Sequence, residues 1–332
     1  MKNKQAFFLQ NKFSFSIITP TLNNEKEIEF FLKSIRKQKY PQDKIEIIIA
    51  DGGSKDKTLK IAGKYKTKII HNKEVFADIG VNEGIKKAKG DLTMILACDN
   101  IFKSDRAFEK IAEVFQNKKI FAAFPKHAVS NKDNFFTKYI NTFTDPANHF
   151  VYGYASNPRT FHEIYKTLEK NKEYTIFNFK SNSLIPMIAF AQGFTIRAGF
   201  RRSSKHAFDD TAPVIELIDK DKTIAYVHSV DLYHYTINNL SHFINKQAWK
   251  TRNYLQKKNF GISHRVTLLS NKQTERIQIW PLYSLTIIPP FIYALYHLVK
   301  DREKMWIFHP ILCIISGYSS FFTYISFVLK NK

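Results

Sequence analysis

Along the first 125 residues the apolar positions keep two alternating rhythms. Phe13 to Thr19, Thr67 to His71 and Leu92 to Leu96 read as short strands, and Lys44 to Ala50 is the near-continuous apolar run expected of a parallel strand covered on both faces. Between the first two, Ile28, Phe31, Leu32 and Ile35 recur at helical spacing, which predicts a helix with one buried face. Asn23 or Asn24 is positioned to cap it, and Tyr40-Pro41 ends it. Helices are predicted over 55–65, over 75–89 with Gly90 as C-cap, and over 105–115 behind Ser104. Ile120 to Phe124 is strand-like. Strands alternating with helices imply an α/β fold with a mostly parallel, doubly wound sheet.

From Lys126 to about Lys180 the periodicity is lost in a stretch rich in Phe, Tyr and Asn, broken by Pro146 and Pro158. Long irregular insertions are often functional, and acceptor binding suits this one. Regular patterns return over 186–197, over 210–220 as a helix and over 223–227 as a strand. Ile277 to Val299 and Met305 to Leu329 carry no Asp, Glu, Lys or Arg, and Lys300 to Lys304 separates them. Uncharged runs beyond roughly 18 residues are candidate membrane spans. Pro289-Pro290 predicts a kink in the first, and Trp280 and Trp306 suit a headgroup belt. The alternative is a helix pair packed on the main domain or on a second copy of the chain, a homo-oligomer. The pattern divides the chain into a main domain over 1–260 (halves 13–125 and 126–260), a linker over 261–276 and a hydrophobic helical tail over 277–332.

Composition changes this picture little. The net charge of +22, from 51 Lys+Arg against 29 Asp+Glu, attracts polyanions such as phosphorylated small molecules or anionic lipid. The basic residues are scattered, and no nucleic-acid-binding signature accompanies them, so nucleic acid is not expected as a partner. Cys98 and Cys313 are too few for a disulfide framework. Met1 to Lys12 is basic and polar without a secretory signal pattern.

The candidate chemistry sits at strand ends. Asp99 follows the Leu92–Leu96 run, and the carboxyl ends of parallel strands are where open α/β sheets bind ligands. Pro20-Thr21-Leu22-Asn23 follows the first strand, and Asp51-Gly52-Gly53-Ser54, with Asp56 and Thr58, follows the second. Ser34, Gln38 and Tyr40-Pro41 lie between them, and Asn82, Gly84-Ile85, Ala88 and Gly90-Asp91 lead into the Asp99 strand. In order and spacing these resemble the opening of family 2 inverting glycosyltransferases of GT-A fold, in particular bacterial members with membrane-associated C-terminal segments. The likeness continues more loosely to Tyr254. Gly193-Phe194 and Arg197 resemble an acceptor-side segment, Asp209-Asp210 the acidic pair before a helix, His234 the histidine after the next strand, and Gln247 with Lys250 or Arg252 a basic motif.

The resemblance implies a glycosyltransferase that moves a sugar from a nucleotide-diphosphate donor to a hydroxyl of a cell-envelope glycan or lipid-linked acceptor, with inversion. If both hydrophobic segments span, the two C-terminal lysines lie on the same side as the basic main domain, and the positive-inside bias makes that side the cytoplasmic face of the cell membrane. Pro20, Thr21, Asn23, Asp51, Asn82 and Asp99 would bind the donor. Charge on a departing diphosphate is commonly offset by a divalent cation, so Mg²⁺ or Mn²⁺ is implied, with Asp99 and His234 as ligands. An attacking hydroxyl must lose its proton to a base within reach; the resemblance gives that role to Asp210, with Asp209 as helper. Two positions depart from the family pattern: Ala97 stands where an Asp-x-Asp has its first acid, and Val81 where an Arg is common. The alternatives are a polyprenyl-phosphate glycosyltransferase or a non-catalytic membrane protein that binds nucleotide sugar or glycan. Residue by residue, Asp51 reads otherwise as a turn former, Asp209-Asp210 as an N-cap, His234 as a packed histidine, and Lys250 and Arg252 as a solvated face.

Overall fold

The computed structural model describes residues 13–201, 209–255 and 261–331. The basic opening, Met1 to Lys12, lies outside them. The chain divides into two compact units: Met1–His127, Thr167–Phe177 and Ala189–His234 form one, and Ala128–Lys166, Asn178–Ile188 and Tyr235–Lys332 the other.

The first unit is built on a sheet of β1 (Phe15–Thr21), β2 (Ile45–Asp51), β3 (Lys68–His71), β4 (Leu92–Leu96), β5 (Asn100–Phe102), β6 (Ile120–Ala128), β7 (Lys166–Lys170), β8 (Thr175–Asn178), β9 (Gln192–Arg197) and β10 (Thr223–His234). Its order is β3-β2-β1-β4-β9-β6-β10-β8-β7, with β5 paired to β10 off that path. β3, β2, β1 and β4 are parallel neighbours, as the alternation of strands and helices predicts; β3, at the edge, is mostly exposed. β9 is inserted antiparallel to both β4 and β6, so β6 still runs in the direction of β4. No periodicity announces that insertion. β5 was not expected at all, and β10 extends seven residues past the predicted Val227, to His234.

Helix α1 (Ile28–Arg36) buries Ile28, Phe31, Leu32 and Ile35. Its start lacks the expected side-chain cap. The Asn24 backbone carbonyl accepts the Glu27 and Ile28 N–H groups at 3.2 and 2.9 Å, while the Asn23 and Asn24 side chains serve neighbouring loops. α2 (Thr58–Ala62) is shorter than predicted because residues before it are held in a turn. α3 (Ala77–Lys87) lies so close on β1 that a Cβ at Gly84 would sit inside contact distance of Ile18 Cγ2. Gly90 does not cap that helix; a Cβ there would be 2.6 Å from the Ser16 nitrogen. Beside α4 (Ala107–Val114), Gln38 donates to the Ser104 carbonyl at 2.9 Å, and Phe15, Tyr40, Phe102 and Phe108 form one ring cluster. Motif residues at 38, 40, 84 and 90 thus hold the scaffold.

In the second unit the segment without visible periodicity forms α5 (Phe135–Phe143) and α6 (Pro146–Tyr152). Asn134 caps the first through the Thr137 N–H at 3.0 Å, and Asp145 caps the second, with Pro146 in its first turn. α8 (Leu240–Leu255), α9 (Gly261–Val266), α10 (Asn271–Leu285), α11 (Ile288–Asp301) and α12 (His309–Lys330) complete the unit. α9 and the start of α10 occupy the stretch read as a linker. α10 and α11 bend by 98° at a break just ahead of Pro289-Pro290, which sit in the first turn of α11, where proline is accommodated; α10 also holds Pro281 inside it. Lys304–Lys330 is long and apolar enough to cross a membrane.

The tryptophans do not form the expected belt. Trp306 is 1% exposed, its ring 4.1 Å from that of Phe143, and its Nε1 donates to Asp301; Trp280 is also buried. The outward apolar surface carries aliphatic side chains and phenyl rings, with Leu282, Ile288, Val299, Phe322 and Leu329 all largely exposed, together with the tyrosines Tyr296, Tyr318 and Tyr324 expected of that belt.

Candidate active site

The carboxyl ends of β1, β2 and β4 gather most of the residues singled out from the sequence. Thr21 and Asp51 are register partners, and Pro20 pairs with Ala50. Asp51 is 3% exposed. Its Oδ2 accepts the Gly53 N–H at 2.9 Å and the Ser54 N–H at 3.0 Å, and its Oδ1 accepts the Ser54 hydroxyl at 2.5 Å. Gly53 takes φ +95° to close this turn, a conformation costly for residues with a Cβ. Asn23, at φ 52°, donates its N–H to Ser54 Oγ at 2.9 Å and accepts the Lys55 N–H at 2.9 Å. Farther on, the Asn24 N–H reaches Thr58 Oγ1 at 2.7 Å and the Glu25 N–H reaches Asp56 at 3.1 Å. The two halves of the opening motif are therefore one clamp between two loops, and Asp51 is a turn former whatever else it binds.

Thr21 Oγ1 lies 3.7 Å from Cys98 Sγ, which leads to Asp99. Burial pushes the Cys98 thiol up to about 12, so it stays protonated and is no thiolate ligand. Asn100 donates to Asp99 Oδ1 at 2.7 Å and fixes that carboxylate. β5 then pairs antiparallel with the end of β10, with Asn100 opposite His234, and this pairing carries His234 Nε2 to 3.3 Å from Asp99 Oδ2. The His234 side chain is 12% exposed and that of Asp99 35%. Gln192 Nε2 lies 3.3 Å from His234 Nδ1. The His127 ring is 5.8 Å from that of His234. Dense packing around this half-buried group, and then the charge of His234, push the His127 pKa down to about 3, so it is neutral at physiological pH. Gln192, His127 and Asn100 were not identified as site residues from sequence; the adjacency of Asn100 to Asp99 was the one available signal.

Asp210 reaches the same strand tip through the backbone. Its Oδ1 accepts the Ala191 N–H at 2.7 Å, its carbonyl accepts the Phe190 N–H at 2.7 Å, and the Ala191 carbonyl accepts the Ala97 N–H at 2.9 Å. Asp209 is 1% exposed. Its Oδ1 accepts the Thr211 N–H and hydroxyl and the Ala212 N–H, at 2.7, 2.6 and 2.9 Å, at the start of α7 (Ala212–Asp219). That is helix-capping geometry.

Other sequence-selected residues lie elsewhere. Asn82 is on α3, its Oδ1 buried without a hydrogen-bond partner, and no described hydrogen bond joins it to Thr21, Asp51 or Asp99. Arg197 sits opposite Leu92, at the end of β4 away from Asp99, and donates to the carbonyls of Ile120 and Phe115 at 2.8 and 2.6 Å. Lys250 is not a solvated lysine, since within the second unit its Nζ meets buried Asp145 at 2.8 Å.

Among the described residues no group of three or more His, Cys, Asp or Glu could hold a metal ion. Asp99 and His234 supply one oxygen and one nitrogen donor. That set fits a hard divalent cation when phosphate oxygens and water fill the remaining positions, and does not fit a cage made by protein alone.

Residues 16–191 match Glycosyl transferase family 2. Over 100 residues the chain is 32% identical to the poly(ribitol-phosphate) beta-N-acetylglucosaminyltransferase TarS of Staphylococcus aureus, a match covering 27% of this chain and 17% of TarS. Over 92 residues it is 41% identical to a dolichyl N-acetyl-alpha-D-glucosaminyl phosphate diacetamido-dideoxy-glucuronosyltransferase of Methanococcus voltae, covering 24% of this chain and 27% of the relative. The matches therefore span less than a third of these curated relatives. Among solved structures, the mannosyltransferase PcManGT of Pyrobaculum calidifontis, in complex with GDP-Man and Mn²⁺, superposes with a TM-score of 0.49 at 13% identity, covering 94% of this chain and 88% of that one. The match to the family runs through the loop clamp at the ends of β1 and β2, the β4 tip and the Ala191 strand entry, more than half of the chain, and the protein belongs to glycosyl transferase family 2.

Proposed function

We propose that the protein transfers a sugar from a nucleotide-diphosphate donor to a hydroxyl of a cell-envelope glycan or lipid-linked acceptor, with inversion. The observation that supports this reading is the contact of His234 with Asp99 through β5–β10 pairing, with Asp210 hydrogen-bonded to Ala191, whose carbonyl accepts from Ala97 at the same strand end. The names of the relatives support the acceptor class: one refers to poly(ribitol-phosphate), the other to a dolichyl phosphate-linked sugar.

Thr21, Asn23 and Asp51 border the base and ribose end of the donor, with Pro20 holding the strand end. Asp99 and His234 hold Mg²⁺ or Mn²⁺ together with the diphosphate. When bound, the cation offsets the negative charge that develops on the leaving group. Asn100 and Gln192 keep these two side chains oriented. Asp210 takes the proton of the acceptor hydroxyl as it attacks, and Asp209 positions Asp210 by capping α7. Ala97 leaves one acid at the tip, so the cation is held more weakly than by two. The exposed apolar face of α10–α12, together with the whole chain's net charge of +22, suits a seat at the cytoplasmic face of an anionic membrane.

A thermal-shift screen of nucleoside diphosphates with and without Mn²⁺ tests the reading, because a ligand that binds the folded state adds stability. Shifts that need Mn²⁺ and vanish in Asp99→Asn are expected. No shift with any nucleotide, or shifts unchanged in Asp99→Asn, would overturn it.

A further inference from the structure

The second unit encloses a cavity of about 480 Å³ that the transfer reaction does not use. Its walls come from α6, α8, α9, α10 and α12, and Val151, Val266, Trp280, Leu285 and Phe321 make most of its lining apolar. Protein interiors hold few voids larger than a water molecule, and a mostly apolar space of this size is in the range of ligand pockets. It is built by a close helix crossing: a Cβ at Gly317 of α12 would overlap Ser284 of α10, and both residues line the cavity. Tyr254, Phe321 and Tyr324 line it while remaining 42%, 45% and 49% exposed, so it opens to the surface there. On α12 that mouth adjoins the exposed apolar residues Phe322, Ile325 and Leu329.

The cavity has a polar end. Gln247 lines it, is 3% exposed, and its buried Nε2 has no hydrogen-bond partner among the described residues. A buried donor left unpaired is unfavourable, and a ligand oxygen would relieve it. Lys250 lines the same end, paired with Asp145. A sugar or nucleotide would leave most of its polar groups unmatched against such walls. A hydrocarbon chain matches them, and a mouth continuous with an apolar surface gives such a chain a route in from a bilayer.

We propose that this cavity holds one hydrocarbon chain of a membrane lipid, with an oxygen near its head accepting from Gln247 Nε2. The test uses the full chain in lipid nanodiscs that contain a phospholipid with a diazirine at the end of one acyl chain. Photolabelled residues are located by mass spectrometry. Labelling of cavity residues such as Leu255 and Leu285 is expected alongside labelling of the exposed positions Ile288 and Val299. Filling the cavity with Val266→Trp should cut the cavity labels about tenfold and spare the exposed ones, which report that the unit is still folded and seated. Gln247→Leu, which removes the polar end with little change of volume, should lower the cavity labels several-fold. Labels confined to the exposed face, or cavity labels unchanged in both variants, would overturn the proposal. The readout is lipid occupancy, so it stands or falls independently of sugar transfer.

Discussion

Asp210→Asn separates the proposed chemistry from the scaffold. Asn keeps an Oδ1 to accept the Ala191 N–H, now 2.7 Å from the carboxylate, and loses the charge and the basicity. A hydrogen bond to a charged group contributes roughly 1.5–3 kcal/mol and a neutral one roughly 0.5–1.5, so the folded state should lose about 1 kcal/mol. Removing a general base costs about 10²–10⁴ in rate, equivalent to about 3–5 kcal/mol in the barrier. The catalytic effect therefore exceeds the structural one several times over. The assay is release of nucleoside diphosphate under saturating donor and acceptor, with chemical denaturation of the same preparation. Expected are a kcat lowered by at least about a hundredfold, an unchanged KM for donor, and nearly wild-type stability. Asp209→Asn is the control. Asn caps helices as well as Asp does, so its turnover should stay near wild type, whereas Asp209→Ala should lose about 0.5–2 kcal/mol of stability. A wild-type kcat in Asp210→Asn, or equal losses at 209 and 210, would refute the division of roles.

Lys250→Met should destabilise the protein by about 3 kcal/mol, near the lower end for breaking a buried pair because Lys250 keeps some exposure; denaturant titration measures this. Burial raises the Asp145 pKa, but Lys250 and the Asn148 N–H together hold it below the usual carboxylate value. Its stabilisation is thus present above about pH 4 and is lost as pH falls through the depressed folded-state pKa; without Lys250 the sign should reverse. His127 behaves oppositely. With its pKa near 3 in the folded state and about 6.5 unfolded, its contribution is complete above pH 6.5 and declines as pH drops towards 3. His127→Gln should flatten that part of a stability–pH profile. Gly84→Ala should lose about 1–3 kcal/mol through overpacking on Ile18, despite the better helix propensity of Ala; a lowered Tm checks it. Ala97→Asp should lower the Mn²⁺ concentration for half-maximal activity, measured by metal titration.

The readings that survived rest on local chemistry. β1, β2, β4 and α1 were legible because burial of both strand faces and one helix face is written in residues close in sequence. So was the clamp of Asn23, Asp51, Ser54, Asp56 and Thr58, whose turn demands particular side chains at short spacing. Residues further apart were misjudged when type alone was consulted. Arg197, matched by resemblance to an acceptor-side segment, holds carbonyls of the scaffold, and Trp306, which suited a headgroup belt, is buried among aromatic rings.

What the sequence by itself determined is the family and the nucleotide-side loops of the sheet. The resemblance had already named Asp99 and His234 together. Only the tertiary structure decided that β9 enters between β4 and β6, that a three-residue β5 pairs with β10, and that Gln192 therefore meets His234. The physical reason is distance along the chain. These strands are joined by backbone hydrogen bonds, which every residue type can make, so no side-chain pattern records their pairing in advance.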